Sequence, residues 1–182
     1  MIVKSLDHLN KISEIILKKL DKKDCLFLIG EIGVGKTTLT RYLINNLQKQ
    51  KGLSQTEVLS PTFNLLYEYE ISDFKIMHYD LYRIKETKEL KHLGIFSEEL
   101  DAVKIVEWPD LIKTPLQDKL EVHLRYGEKE NEREIEFKGL GKWENFTFVQ
   151  VNSENGKLDL EFILRDLASR DCINVLMEGG GK

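Results

Sequence analysis

The segment from Gly30 to Thr37 constrains this chain more than any other part of its sequence. It is Gly-Glu-Ile-Gly-Val-Gly-Lys-Thr and matches the pattern Gly-x-x-x-x-Gly-Lys-[Ser/Thr]. An apolar run, Cys25 to Ile29, precedes it, and apolar residues recur at helical spacing from Lys36 to about Gln50. A buried strand, a glycine-rich loop and a helix in this order predict a loop that wraps phosphate groups with its backbone amides, a P-loop.

Several residues of this loop have predicted roles in binding a nucleotide. Glycine lets backbone N–H groups turn toward phosphate oxygens, and the start of the following helix adds the positive end of its dipole. We expect the Lys36 ammonium to reach the outer phosphates and the Thr37 hydroxyl to bind Mg²⁺. The predicted nucleotide site consists of Glu31, Ile32, Gly33, Val34, Gly35, Lys36, Thr37 and Thr38.

Two acidic residues are placed to complete the shell of the magnesium ion. Asp80 follows the strand-like segment 74–79, and Glu107 follows the strand-like segment 103–106. Because the carboxyl ends of parallel strands in an α/β sheet border the ligand cleft, an acid at the end of each strand would reach the phosphates. We assign Asp80 to the metal sphere. Glu107 either touches the metal, directly or through water, or positions the attacking water, and the sequence leaves these roles open.

Two further residues are candidates because of their position. Thr62 lies in Ser-Pro-Thr-Phe, between the predicted P-loop helix and the next strand, and Pro61 keeps Ser60 out of helical geometry. Thr62 is therefore a candidate sensor of the terminal phosphate, with an ordinary loop residue as the alternative. Trp108, next to Glu107, is a candidate for stacking on the base, with packing against the cleft wall as the alternative.

The rest of the chain alternates between helical and strand-like segments. Hydrophobic periodicity and turn residues predict each of them. They are a helix capped by Ser5 and reaching Leu20, a hairpin of residues 63–71 and 74–79, a helix at 86–92, a hairpin of 120–126 and 133–137, a strand at 146–151, a turn at 155–156, a helix at 158–167 and a strand at 173–177.

Composition narrows the class of protein. The 182 residues include 27 Lys and Arg against 31 Asp and Glu, a net charge of −4, which argues against a basic face that wraps a nucleic acid. Any connection with RNA would then need a partner. Two cysteines are too few for a disulfide framework, and the sequence has no export signal or membrane-length apolar run. We therefore expect a cytoplasmic protein without membrane contact.

Other motifs bear on the nucleotide and on the reaction. The sequence lacks an Asn-Lys-x-Asp guanine-recognition motif, which favours ATP over GTP, and it lacks an ABC-type Leu-Ser-Gly-Gly motif. A small-molecule kinase usually closes an arginine-rich lid over its acceptor, whereas Arg125 and Arg133 flank a predicted hairpin. Hydrolysis of ATP is therefore favoured, and a P-loop small-molecule kinase remains the alternative.

The motifs together resemble those of the TsaE (YjeE-type) ATPases of bacteria. They are the P-loop and the residues after it, Ser-Pro-Thr-Phe from Ser60, His-Tyr-Asp-Leu-Tyr-Arg from His78, Leu-Gly from Leu93 and Val-Glu-Trp-Pro from Val106. The resemblance covers roughly residues 5–140. It implies an α/β P-loop NTPase fold of three layers, a mixed parallel and antiparallel sheet flanked by helices, that binds ATP and Mg²⁺ and hydrolyses ATP weakly.

The resemblance also implies a biological setting and roles for single residues. Such proteins are required for the threonylcarbamoyladenosine modification of tRNA at position 37 and act with the TsaD and TsaB proteins, so tRNA is reached through the complex. Applied to the matching positions of this chain, the resemblance places Thr37, Asp80 and Glu107 at the metal and Trp108 near the nucleotide. It gives Asp80, Glu107 and Thr62, in a switch-like loop, a part in hydrolysis. A binding module in which ATP orders this loop for a partner, and hydrolysis is incidental, is compatible with the same residues.

The last forty or so residues depart from the family pattern. Members generally end soon after the second predicted hairpin, so we expect residues 1–141 to form the ATPase domain and residues 142–182 an extension of unknown role. Residues 163–182 resemble a fragment of the reductase domain of riboflavin-biosynthesis proteins that stops at its Glu-Gly-Gly turn. A fragment without the rest of its sheet cannot form that pocket, so we expect no catalytic role for it.

Overall fold

A computed structural model gives the fold of most of the chain. It describes residues 1–97, 101–114 and 116–146, together with 153–154, 157–158, 163, 165–166 and 169. Contacts between residues divide the chain into two compact units, Met1–Thr147 and Phe148–Lys182. Within the described ranges, no helix combines the length and the apolar character needed to cross a membrane.

In the described part of the first unit, seven strands form one mixed sheet. They are β1 (Ile2–Val3), β2 (Cys25–Ile29), β3 (Leu66–Ile71), β4 (Phe74–Asp80), β5 (Ala102–Glu107), β6 (Lys119–Tyr126) and β7 (Arg133–Leu140). Their order across the sheet is β1-β7-β6-β2-β5-β4-β3. β2 is parallel to β5 and β6, and β4 is parallel to β5, whereas β1, β3 and β7 pair in antiparallel fashion. The predicted mixed sheet is confirmed.

Helices α1 (Leu6–Leu17) and α2 (Lys36–Gln50) pack against each other, and α3 (Thr87–Leu90) is a single turn. The Ser5 hydroxyl caps α1 by accepting a hydrogen bond from the His8 amide at 3.1 Å, as predicted. Apolar side chains three or four residues apart face the interior, as in an amphipathic helix. They include Leu9, Ile12 and Ile16 of α1 and Leu39, Leu43 and Leu47 of α2.

Side chains alternate between the two faces of the sheet, and each face has its own environment. On one face, residues of the central strands pack with α3 and the segment after it; the cluster includes Cys25, Phe27, Met77, Tyr79, Leu90, Ile95 and Val106. On the other face, Glu107 contacts Thr37 of α2, so this face lies beneath the P-loop helix. His78 and Asp80 are two residues apart on β4 and share that face. The functional candidates therefore gather where α2 meets the strand ends.

Some boundaries differ from the sequence predictions for local physical reasons. β3 begins at Leu66 and not at Phe63, because Leu65 has a left-handed φ of 66° that interrupts extended backbone. The predicted helix at 86–92 ends earlier as an α-helix and continues as a 3₁₀ turn at Lys91–Leu93. β1 was not predicted, since two residues are too few to show a period.

The second unit is described at a few positions. β8 (Ser153–Glu154) pairs in antiparallel fashion with β9 (Lys157–Leu158), and residues 163, 165, 166 and 169 are helical. The helix predicted from residue 158 is wrong at its start, because Leu158 lies in β9. The predicted turn at 155–156, the strand at 173–177, most of the strand at 146–151 and Cys172 lie outside the described residues. The domain boundary at residues 141–142 stays a prediction.

Candidate nucleotide site

The loop between β2 and α2 has the backbone of a phosphate-binding loop. Gly33 and Gly35 have φ values of 75° and 119°, in the left-handed region that side-chain-bearing residues rarely adopt. Gly35 is the N-cap of α2, a helix of 15 residues. The unpaired N–H groups and the positive dipole end of this helix therefore face the loop, where an anion binds favourably.

The Lys36 ammonium lies inside this loop. Its Nζ donates hydrogen bonds to the carbonyl oxygens of Gly30 and Glu31, each at 2.8 Å. The same nitrogen lies 4.0 Å from the centre of the Trp108 ring. Burial lowers the pKa of Lys36, and the two carboxylates at the ends of β5 and β4 act in the opposite direction. The Lys36 ammonium is therefore held by the loop backbone within electrostatic reach of the strand-end acids, and its contact with the outer phosphates stays a prediction.

Glu107 connects the first turn of α2 with the sheet. It is 2% exposed at the end of β5, and its Oε1 accepts a hydrogen bond from Thr37 Oγ1 at 2.8 Å. His78 Nε2 lies 2.9 Å from the same oxygen, and the His78 ring is fully buried. His78 is thus a hydrogen-bonded core residue whose partner, Glu107, is a site residue predicted from the sequence. A P-loop hydroxyl beside a strand-end carboxylate is the oxygen pair at which P-loop proteins hold Mg²⁺.

Asp80 is next to Glu107 in the strand register but has different partners. Its Oδ2 accepts hydrogen bonds from Ser60 Oγ at 2.9 Å and Thr62 Oγ1 at 2.6 Å. Its Oδ1 accepts one from the Tyr82 amide at 3.0 Å. Thr62 and Asp80, both predicted from the sequence, are thus brought together, and Asp80 holds the loop at 60–62. Its assignment to the metal sphere stays a prediction.

Trp108 lies beside the P-loop in a conformation that is unusual for its residue type. Its φ of 58° is left-handed, and its ring centre lies 5.0 Å from that of Tyr82. With Lys36 on the same ring, Trp108 forms a wall of the site. Stacking of this ring on a nucleotide base stays a prediction.

Two arginines, Arg41 and Arg83, contact the segment on either side of the 60–62 loop. Arg41 of α2 donates from Nε and Nη2 to the carbonyl oxygen of Val58, both at 3.2 Å. The Arg83 guanidinium lies 5.0 Å from the centre of the Phe63 ring, a side chain that is 84% exposed. Both arginines therefore have protein partners on the segment that carries Thr62.

Two residues of the β6–β7 hairpin contact the P-loop, although the sequence did not predict them as site residues. Tyr126 Oη donates to the carbonyl oxygen of Ile32 at 2.8 Å, and Arg133 Nε donates to that of Val34 at 3.1 Å. The hairpin itself was predicted, and the two residues are register partners at its end. The spacing of a hairpin does not specify which loop its tip approaches, so the sequence held no direct signal for these contacts.

Comparison with known protein families shows which family this chain belongs to. A model of the family described as "Threonylcarbamoyl adenosine biosynthesis protein TsaE" matches residues 3–135. The chain belongs to the TsaE family. The resemblance inferred from the P-loop and from the motifs at residues 60–63, 78–83, 93–94 and 106–109 is confirmed. The matched residues include every site residue predicted from the sequence.

Individual relatives agree with this TsaE assignment. The chain is 36% identical over 114 residues to the "tRNA threonylcarbamoyladenosine biosynthesis protein TsaE" of Rickettsia felis, covering 62% of this chain and 64% of the relative. It is 30% identical over 135 residues to the protein of the same name from Aquifex aeolicus, covering 74% of this chain and 92% of the relative. The match thus spans slightly less than two thirds of the length of the Rickettsia felis relative.

A solved structure supports the fold of this TsaE family member. The crystal structure of Bacillus subtilis YdiB superposes with a TM-score of 0.58 at 23% sequence identity, covering 94% of each chain. The predicted α/β fold, a mixed sheet flanked by helices, is confirmed by this likeness and by the strand order.

Proposed function

We propose that this TsaE family member binds ATP with Mg²⁺, hydrolyses it slowly, and serves the formation of threonylcarbamoyladenosine in tRNA together with TsaD and TsaB. One observation carries the chemical part: Thr37 Oγ1 and Glu107 Oε1 meet at 2.8 Å beside a glycine-rich loop that contains Lys36. The tRNA part is supported by family membership and by the names of the Rickettsia felis and Aquifex aeolicus relatives.

A cavity next to the loop supports binding of a whole nucleotide. Its volume is about 380 Å³, within the range of small-molecule sites. The lining combines loop, helix and strand residues: Val3, Lys4, Ser5, Leu6, Leu9, Gly33, Val34, Gly35, Thr38, Leu124, Asn131 and Arg133. Because the cavity shares Gly33 to Gly35 with the phosphate loop, a triphosphate in the loop would leave its nucleoside in this mixed apolar and polar space.

Thr37 and Glu107 have the chemistry that Mg²⁺ requires. Their oxygens lie 2.8 Å apart and are hard donors, the kind of ligand that Mg²⁺ prefers. When bound, Mg²⁺ would neutralise charge between the β- and γ-phosphates. Thr37 and Glu107 would hold the ion, and His78 would keep the Glu107 carboxylate oriented from behind.

Thr62 and Asp80 support the hydrolytic part of the proposal. The two side chains hold the 60–62 loop at the same sheet edge as Glu107. We assign to this loop the sensing of the terminal phosphate and, together with Glu107, the orientation of the attacking water. Trp108 closes the site next to Lys36.

Exposed apolar side chains near the 60–62 loop support the proposed binding of partner proteins. Next to Thr62, Leu59 and Phe63 are 49% and 84% exposed, although both are apolar. A loop attached to the nucleotide site and carrying exposed apolar side chains can change a protein surface when the nucleotide changes. TsaD and TsaB are the proposed occupants of that surface, and the net charge of −4 agrees with access to tRNA through them.

The test is a pair of lysine variants. Lys36→Ala should weaken ATP binding by about 100-fold, the scale set by a charge-assisted contact, and Lys11→Ala, an exposed lysine of α1, should not. Calorimetric titration with ATP and Mg²⁺ measures both. Expression in cells that lack their own TsaE should restore the tRNA modification with the native chain and with Lys11→Ala, and fail with Lys36→Ala. Undiminished ATP binding by Lys36→Ala would contradict the site assignment.

Two further measurements separate this function from its alternatives. With ATP labelled in its terminal phosphate, the label should appear as inorganic phosphate, the product of transfer to water. Label on an organic acceptor would instead indicate a small-molecule kinase. Capture of TsaD and TsaB should depend on whether ATP, ADP or a non-hydrolysable analogue is present. If Glu107→Gln still supports tRNA modification without turnover, hydrolysis is incidental and the chain acts as a nucleotide-dependent binding module.

A further inference from the structure

The end of the β6–β7 hairpin contacts the outer side of the glycine-rich loop at two carbonyl groups. Tyr126 Oη donates to Ile32 at 2.8 Å, and Arg133 Nε donates to Val34 at 3.1 Å. Tyr126 and Arg133 are opposite each other in the strand register, and the guanidinium lies 4.5 Å from the centre of the tyrosine ring. The two donors therefore act on the loop from one small, connected surface.

Each contact fixes the direction of a peptide group. In a planar trans peptide, the carbonyl and the following N–H point in opposite directions. A carbonyl of Ile32 held toward the hairpin turns the Gly33 N–H away from it, and the carbonyl of Val34 does the same for the Gly35 N–H. These are glycines of the loop whose amides the phosphate-binding motif uses.

The hairpin residues are themselves held in place. Arg133 Nη1 donates to the carbonyl oxygens of Glu130 and Glu132, both at 2.8 Å, so its guanidinium is anchored to the hairpin turn. A Cβ at position 33 would lie 3.0 Å from Tyr126 Oη, so the tyrosine lies against the loop backbone with no side chain between them. Glycine at position 33 therefore serves this close approach as well as its positive φ.

We propose that Tyr126 and Arg133 are positioning residues of the phosphate site, which orient the Gly33 and Gly35 amides before the triphosphate binds. The inference rests on the proposed function, because it concerns the same site. Donors that are already oriented do not have to be ordered by the ligand, so their contribution appears as affinity for phosphate groups, whatever nucleoside is attached.

Two conservative variants and one matched control test this inference in the full chain. Tyr126→Phe removes the hydroxyl and keeps the ring, and Arg133→Lys keeps the charge and removes the guanidinium. Arg125→Lys is the control. Arg125 precedes Tyr126 on β6, its side chain is 62% exposed, and it pairs with Glu136 of β7. Calorimetry with ATP and with inorganic tripolyphosphate measures the affinities, and circular dichroism with thermal unfolding confirms that each variant is folded.

Tyr126→Phe and Arg133→Lys should each weaken binding about three- to tenfold, the range that corresponds to one lost hydrogen bond. Tyr126→Phe should lose affinity for ATP and tripolyphosphate equally. Arg133→Lys should weaken both and lose at least as much for ATP, because Arg133 also lines the cavity proposed for the nucleoside. Arg125→Lys should bind both like the native chain. A loss for ATP alone would place the residues at the nucleoside and overturn the inference, as would unchanged affinity for both ligands. If Arg133→Lys does not fold, Tyr126→Phe decides alone. A native chain that binds neither ligand would overturn the proposed function, and this inference with it.

Discussion

The ends of β4 and β5 are neighbours in one sheet, yet their carboxylates have different surroundings. Asp80 and Glu107 are register partners and are 3% and 2% exposed. Glu107 contacts Thr37 of the P-loop helix and is supported by His78, whereas Asp80 accepts three hydrogen bonds from the segments around it. Equal burial and adjacent register therefore do not give the two acids equal chemistry.

The difference comes from the element that lies in front of each strand end. β5 is the neighbour of β2, so its end lies beside the loop and helix that follow β2. β4 pairs with β3, and the loop at 60–62 runs into β3, so the end of β4 lies beside that loop. The strand order thus places Glu107 against the first turn of α2 and Asp80 against the 60–62 loop.

The largest effect is expected for Glu107→Gln. Replacing the charged carboxylate by an amide of the same shape should reduce Mg²⁺-dependent turnover by at least about 100-fold, because even loss of a partner to a metal ligand costs about 10- to 100-fold. Titration of ATP turnover with Mg²⁺ measures this effect. Nucleotide binding in the presence of a chelator should remain near that of the native chain. Glu70→Gln, an exposed glutamate paired with Lys75 on the sheet edge, is the control and should behave as the native chain.

Asp80→Asn should have the second-largest effect, of a different kind. An amide whose Oδ1 still accepts from the Tyr82 N–H presents its NH₂ group to Ser60 and Thr62, so the hydrogen bonds to both hydroxyls reverse direction and lose their charged acceptor. We expect the 60–62 loop to be held less firmly as a result. Turnover should fall about 10- to 100-fold, the cost of a small misplacement at a reacting centre.

The Mg²⁺ concentration for half-maximal turnover distinguishes the two carboxylates. If Asp80 acts only through the 60–62 loop, this concentration should stay unchanged in Asp80→Asn and rise in Glu107→Gln. A rise in both variants would instead support the predicted assignment of Asp80 to the metal sphere. Asp7→Asn, on the exposed side of α1, controls for the change of charge.

The sequence predicts the elements of the site better than the partners of each side chain. The P-loop motif is local, so Lys36 and Thr37 could be assigned from spacing. The strand ends were also predictable, because Asp80 and Glu107 each follow an apolar run. Which acid faces Thr37 depends on the strand order, a nonlocal property that a single sequence does not encode in any short pattern.

His78 illustrates how far a local pattern can go. Its alternation with Asp80 on one strand predicts that both side chains share a face of the sheet. Its bond to Glu107 crosses to the next strand, and this requires the parallel register in which His78 lies opposite Ile105. The face was therefore predictable, and the partner was not.

Thr62→Val should have a smaller effect than either carboxylate variant, and it tests the loop side of the comparison. The substitution keeps the branched shape and removes the hydroxyl that donates to Asp80 at 2.6 Å. If Thr62 also senses the terminal phosphate, affinity for ATP should fall about tenfold and affinity for ADP should not change, since one hydrogen bond to a charged group is worth about that factor. Paired calorimetric titrations with ATP and ADP measure the ratio, and equal losses would assign Thr62 a purely structural role.

Ser60→Ala should have the smallest effect, and it separates the two hydroxyls that share one oxygen. Ser60 Oγ also donates to Asp80 Oδ2, at the longer distance of 2.9 Å, and lies 2.8 Å from Thr62 Oγ1. Because Thr62 still holds that oxygen, removal of the Ser60 hydroxyl should cost about threefold in turnover or less. The double variant with Thr62→Val should lose more than the product of the single losses, because neither hydroxyl then replaces the other. Multiplicative losses in a double-mutant cycle would mean that the two donors act independently, and Asp80 would then not be their common anchor.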